Sequence, residues 1–252
     1  MSSNWYLDED FWRTFGPLMF NSDTFARGEE EIEQLLTLLD APAGHVLDLG
    51  AGPGRHSLPL ASSGYTVTAL DTSAHLLEQL KTAADGMSIE TVQADMREFV
   101  HENTFDLVLA MWTSFGYFED EADHARVLDN IRASLKPGGR LVLDLVGLET
   151  LCRTMEPVHL TEYEDARLLI ERPVLVDHMT RLDNEWLLVD GEEVHRTEFS
   201  HRVWSAGEIT GLLGRHGFTV NTIHGDYTGA DYDLEAERMI VIASPVADGA
   251  AG

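Results

Sequence analysis

Three glycines at alternate positions, Gly50, Gly52 and Gly54, come directly after the apolar run Val46-Leu47-Asp48-Leu49, a short strand pattern carrying one acid. Glycine has no Cβ, so a turn of this kind lets the backbone come up against a ligand. A strand feeding such a turn is where open α/β sheets hold nucleosides. The dinucleotide fingerprint G-x-G-x-x-G is not met, because Arg55 stands where its third glycine belongs. Taken alone, the segment reads equally well as a tight loop. Its weight comes from the segments downstream of it.

The strand pattern Tyr65 to Leu70 ends at Asp71, about twenty residues beyond the glycines, where a ribose-binding acid sits in nucleoside folds. A carboxylate there can accept hydrogen bonds from both ribose hydroxyls; the alternative reading is an N-cap for the helix opened by Thr72-Ser73. Asp95, at the end of the Val92 to Arg97 segment, suits an adenine amino group, with Met96 beneath the ring. A fourth strand, Phe105 to Met111, runs into the cluster Trp112-Thr113-Ser114-Phe115-Gly116-Tyr117-Phe118. Leu135-Lys136-Pro137-Gly138-Gly139 then closes a helix and turns into a fifth strand ending at Asp144. Strands alternating with helical patterns (Leu76 to Ala84, Glu119 to Leu135) predict a mostly parallel, doubly wound sheet.

Composition narrows the function classes. The formal net charge is −27, from 44 acids against 17 bases, and lysine occurs only at Lys81 and Lys136. Nucleic-acid binding requires phosphates to be neutralised by Lys and Arg, so no nucleic-acid partner is expected. The acidity serves solubility or steers a cationic substrate. No apolar run approaches the roughly twenty residues that span a bilayer, and no signal peptide is evident, so no membrane partner is expected. The single cysteine, Cys152, rules out an internal disulfide framework and suits a cytoplasmic location. No metal is expected: His195 and His201 share a strand face, but six residues at ~3.3 Å each hold them roughly 20 Å apart. His56, beside the glycine turn, reads as structural rather than as a base.

The flanking segments fit around this core. Apolar residues at Ile32, Leu35, Leu36 and Leu39 have helical spacing for one packed face. Ahead of them, Trp5, Tyr6, Phe11, Trp12, Phe15, Phe20 and Phe25 suit an aromatic lid, with Phe11 and Phe15 on one helical face. Pro59 predicts a late helix start with Ser57 as N-cap. From Pro157 to Trp204 the period becomes extended: Leu168 to Val176, Thr180 to Val189 and Glu192 to Trp204, the last two joined at Asp190-Gly191. Ser205 to Glu208 opens a helix ending at Gly217, and strands Thr219 to Tyr227 and Glu237 to Ser244 return to the sheet. The Ala/Gly-rich tail from Ala247 reads as frayed. The expected layout is one domain, 1–252: an N-terminal helical lid (1–40), a cofactor-binding core (41–152), an antiparallel insertion before the last helix (153–204) and the C-terminal part of the core (205–246).

The spacing Asp48-x-Gly50-x-Gly52-x-Gly54 resembles the first motif of the Rossmann-like, class I S-adenosylmethionine-dependent methyltransferases, in which a seven-stranded sheet ends in an antiparallel hairpin. Phe11-Trp12, Met19-Phe20, the Gly-Pro-Gly-Arg-His turn, Asp95-Met96-Arg97 and Ser114-Phe115-Gly116-Tyr117-Phe118 are similar to a narrower group, the N-methyltransferases of lincosamide antibiotic assembly. That resemblance spans about Trp5 to Leu145 and covers the insertion poorly. It implies N-methylation of a small-molecule amine in secondary metabolism, with S-adenosylmethionine as cofactor. Cofactor contacts would come from Asp48, Gly50, Ala51, Gly52, Asp71, Thr72, Asp95, Met96, Met111 and Arg27. Tyr6, Phe11, Phe115, Tyr117 and Phe118 would shape the substrate pocket. Tyr6, Phe115 and Tyr117 would orient the acceptor, because methyl transfer from a sulfonium needs positioning more than a chemical catalyst. Arg27 would pair with the cofactor carboxylate or with the acids that come after it. The alternatives are an O-methyltransferase, which needs a base, and a non-catalytic cofactor-binding regulatory subunit; a homo-oligomer is left open. Absence of Asn/Asp-Pro-Pro-Tyr after the fourth strand argues against nucleobase amines.

Overall fold

Two sheets of very different character make up the computed structural model, which describes residues 4–40 and 43–246; the tail from Ala247 lies outside them. In chain order the strands are β1 (His45–Leu49), β2 (Thr66–Asp71), β3 (Ile89–Gln93), β4 (Phe105–Ala110), β5 (Leu135–Leu145), β6 (His159–Glu162), β7 (Leu168–Val176), β8 (Arg181–Asp190), β9 (Glu193–Arg202), β10 (Phe218–His224) and β11 (Met239–Pro245). The helices are α1 (Glu9–Met19), α2 (Ser22–Leu39), α3 (Ser57–Ser62), α4 (Ala74–Ala83), α5 (Glu121–Ser134), α6 (Leu148–Thr154) and α7 (Ala206–Arg215).

The larger sheet has seven strands in the order β10-β11-β5-β4-β1-β2-β3. Strands β3, β2, β1, β4 and β5 run parallel, and β11 is antiparallel to both β5 and β10. Sequence order reverses between β1 and β4, and ligands of doubly wound sheets bind at such a switch point, outside the carboxyl ends of the strands. Val46, Leu47, Val108, Leu109 and Leu141 to Leu143 are buried because helices cover both faces. This is the Rossmann-like α/β architecture expected.

The smaller sheet, β6-β7-β8-β9, is an antiparallel meander. Its inner face brings Leu169, Leu188 and Phe199 into one buried cluster with Trp5, Phe11 and the central strands. Strand β6 carries no sequence signal, being four mostly exposed residues. The β8–β9 loop is Gly191-Glu192, one residue later than Asp190-Gly191, since Asp190 still pairs with Glu193; Gly191 takes φ +60° as the first loop residue.

Two helix starts also differ by local chemistry. Helix α3 does start late, but its N-cap is His56, which leaves Pro59 in the first turn. The cap of α4 is Ser73, whose hydroxyl accepts from Leu76 N at 3.2 Å, so Asp71 is not the capping residue. Glu9 of α1 reinforces the same helix start, accepting from Ala74 N at 2.8 Å and Ser73 Oγ at 3.0 Å.

Candidate functional site: a cavity over the switch point

A cavity of about 770 Å³ lies between the carboxyl ends of β1, β2 and β4, the N-terminal helices and the inner face of the small sheet. Its floor is the glycine turn. Gly50 N and Ala51 N donate to Leu70 O at 2.9 and 3.0 Å, pinning the turn against β2. Gly50 has φ +72°, and a Cβ there would stand 2.8 Å from Ser114 Oγ. Only glycine tolerates both constraints.

Asp71 closes one end of this floor. Its Oδ2 accepts from Gly52 N at 2.8 Å and its Oδ1 from Ser73 N at 2.9 Å, and burial pushes its pKa up to about 6 against those hydrogen bonds. The carboxylate is therefore held rigidly by backbone, with each oxygen retaining acceptor capacity on the cavity side. Thr72, Asp95, Met96, Met111, Gly50, Ala51 and Gly52 line the same region. Asp95 is bound bidentately by Arg97, with Nη2 at 2.6 Å and Nε at 3.0 and 3.1 Å, which holds its pKa low against the opposing effect of burial.

Asp48 does not reach the cavity. It is buried beneath the turn, where Ser57 Oγ donates to it at 2.6 Å, and burial raises its pKa. It ties β1 to α3, and the expected cofactor contact is corrected to a contact within the turn's own scaffold.

The N-terminal segment covers the cavity with Trp5, Tyr6, Phe11, Trp12 and Phe20. Tyr6 stacks on Tyr117 with ring centroids 5.7 Å apart, and Phe118 meets Tyr6 edge-on at 5.8 Å. Phe11 and Phe15 do share a helical face, 5.3 Å apart. Burial raises the phenol pKa of both Tyr6 and Tyr117, so both are neutral hydrogen-bonding groups. Phe115 is a correction: it is fully buried, 5.9 Å from the Trp204 ring and 5.3 Å from His124, and does not line the cavity. Gly116 makes its close approach to the small sheet rather than to a ligand. Arg202 N donates to Gly116 O at 2.7 Å, and a Cβ on Gly116 would stand 2.8 Å from Arg202 O.

The sequence assigns no site role to several cavity residues, and assigns two to Arg27. Trp112 and Thr113 come after β4 with φ +52° and +65°, a conformation that costs non-glycine residues of order 1–2 kcal/mol each. Buried Asp144 over-determines it, accepting from Trp112 N at 2.7 Å, Tyr227 Oη at 2.6 Å and Arg238 Nε at 2.6 Å. Arg55, the residue in place of the third glycine, stands over the Trp112 ring at 4.7 Å and donates to Thr24 O at 2.7 Å and Glu31 at 2.6 Å. The same Glu31 carboxylate accepts from His56 Nε2 at 2.9 Å, a structural position. Arg27 lies at the exposed rim and, among the described residues, makes no ion pair with the acids after it. From the small sheet come Leu169, Glu171, Leu182, Trp186, Phe199 and His201. Their alternation on β7, β8 and β9 was legible; their side of the sheet was not.

The donor set fits a nucleoside without ribose phosphates. A backbone-fixed carboxylate at the β2 end accepts hydroxyl protons, and the glycines open the floor beside it. Residues 46–139 match the family described as a methyltransferase domain. The chain is 27% identical over 202 residues to the cypemycin N-terminal methyltransferase of Streptomyces sp, covering 78% of this chain and 81% of that protein. In fold it is similar to the CcbJ methyltransferase of Streptomyces caelestis, with a TM-score of 0.77 at 19% identity over 87% of this chain and 95% of that one. It is also similar to the glycopeptide N-methyltransferase MtfA complexed with S-adenosyl-L-methionine, with a TM-score of 0.62 at 25% identity, covering 86% and 94% of the two chains.

Proposed function

We propose that this chain, an S-adenosylmethionine-dependent methyltransferase of class I fold, methylates the nitrogen of a small-molecule amine in secondary metabolism. When bound, S-adenosylmethionine supplies a methyl group already activated on a sulfonium. Asp71, Asp95, Met96 and the glycine turn would hold its nucleoside part, and Arg27 its carboxylate.

The observation that carries the choice of nitrogen is the stacked Tyr6–Tyr117 pair, which presents neutral phenols to an acceptor. Burial pushes His201 down to about 4, and keeps the Tyr6 and Tyr117 phenols neutral. An imidazole that weak is a poor base for a hydroxyl, whereas an amine loses its proton to water before entering and then presents its own lone pair. The Tyr6–Tyr117 stack can orient that nitrogen through phenol hydrogen bonds and shield developing charge with its ring faces. One of the similar proteins is named as a glycopeptide N-methyltransferase and another as an N-terminal methyltransferase, which supports the same reading. The narrower likeness to lincosamide enzymes rests on the motifs between Trp5 and Leu145 and supports an antibiotic-assembly setting.

Incubation with methyl-labelled cofactor and a panel of amines and matched alcohols, read by mass spectrometry, tests the proposal. Label on nitrogen is expected, with activity rising with pH towards each amine's own pKa. Label on the alcohols alone would overturn it.

A further inference from the structure

The half of the cavity walled by the small sheet contains one carboxylate in an otherwise apolar row. Along β7 the inward positions are Leu169, Glu171, Pro173 and Leu175, and Glu171 lines the cavity. In register it stands opposite Trp186 on β8 and His159 on β6. Among the described residues no hydrogen bond or ion pair is made by the Glu171 carboxylate. Trp186, the N–H donor directly across the strand pair, does not satisfy it, since its indole nitrogen is itself buried without a partner. Burial raises the Glu171 pKa, and the facing His159 opposes that only in part.

A partly buried carboxylate with no partner is unfavourable, and sequences tolerate one where a ligand completes it. Around Glu171 the wall is aromatic: Trp186 and Phe199 are 5.0 Å apart, and Trp5 lies 4.7 Å from Phe199. Ring faces together with one carboxylate are the chemistry that recognises an ammonium group. Resting on the proposed amine methylation, we infer that Glu171 anchors a second, cationic amino group of the methyl acceptor, so that the preferred substrates carry two amines. The first nitrogen lies at the Tyr6–Tyr117 stack, and the second against Glu171 and the Trp186 and Phe199 rings. Glu171 is thus a specificity-determining residue that does not touch the reacting atoms.

The test compares a benzylamine bearing an aminopropyl chain on nitrogen with the same benzylamine bearing a butyl chain. Binding to the full chain in the presence of S-adenosylhomocysteine is monitored by tryptophan fluorescence, independently of turnover. The wild type is expected to bind the diamine about tenfold more tightly, and Glu171→Gln to lose that preference while keeping its cofactor affinity and melting temperature. Equal wild-type affinity for the two amines, or a preference retained in Glu171→Gln, overturns the inference. A diamine preference without nitrogen methylation would instead overturn the proposed reaction and leave the anchor standing.

Discussion

The Arg55 guanidinium meets the Glu31 carboxylate at 2.6 Å, and this contact fastens helix α2 to the glycine turn. The same guanidinium donates to Thr24 O and covers the Trp112 ring, so one side chain joins the N-terminal cover, the turn and the strained segment after β4. Gly28 leaves room for it: a Cβ there would stand 2.6 Å from Arg55 Cγ and 2.8 Å from Arg55 O.

Removing Arg55 leaves Glu31 largely buried and unpaired by guanidinium. Arg55→Ala is expected to destabilise the fold by about 3 kcal/mol, the scale for losing one partner of a buried ion pair. Gly28→Ala should loosen the same junction by steric displacement. Urea denaturation of both variants, with Glu31→Ala and the double variant closing a cycle, checks this. Strict additivity of Arg55→Ala and Glu31→Ala would mean that the contact does not hold the cover.

Cofactor affinity should depend on pH through Asp71. Its pKa is pushed up to about 6 by burial, and ribose hydroxyls donate more strongly to the ionised form. Binding therefore lowers that pKa and releases a proton. Affinity is full above pH 6 and falls below it, by up to about tenfold per pH unit. Calorimetry with S-adenosylhomocysteine should show this slope in the wild type and its loss in Asp71→Asn. Asp71→Ala should weaken binding by about 2–4 kcal/mol.

Phe115 and Tyr117, two residues apart, should separate cleanly. Phe115→Ala opens a fully buried site and is expected to cost about 3–5 kcal/mol of stability. Tyr117→Ala should lower kcat by about tenfold or more while cofactor Kd stays within about twofold, because orientation is lost and nucleoside contacts remain. Thermal melts paired with single-turnover assays distinguish the two outcomes. A Tyr117→Ala enzyme with wild-type turnover would remove Tyr117 from the acceptor site.

His124, packed between Phe115, Phe118 and Trp204, is pushed down to about 4 by burial. A histidine whose folded pKa lies below 6.5 contributes stability that is fully present above pH 6.5 and is lost as pH falls towards 4. Between pH 6.5 and pH 5 this amounts to about 2 kcal/mol. His124→Phe should therefore lose about that much less stability than the wild type over the same interval in urea titrations. Asp71 and Glu171, with raised pKa values, act in the opposite direction and are unchanged by the substitution.

The sequence by itself determined the central sheet, the glycine turn and the acid at the end of β2. Those features are local: strand periodicity, a glycine required at positive φ, and an acid at a fixed distance along the chain. It also placed the opening of α7 at Ser205 to Glu208 and the extended run Leu168 to Val176, again from signals within a few residues. Tertiary structure alone decided which side chains face the cavity. Phe115 and Tyr117 lie in one short segment, yet φ +134° at Gly116 and the close approach of Arg202 send one into the core and the other to the cavity wall. The resemblance implies a ligand contact for Asp48, but Ser57 closes over it. Glu171, His201 and Arg238 reach the cavity from segments far apart in the chain, and no sequence window contains their arrangement. A pocket is made where elements meet, and the choice of inward face on each strand is fixed by the packing of the two sheets, a non-local balance of burial that periodicity alone does not encode.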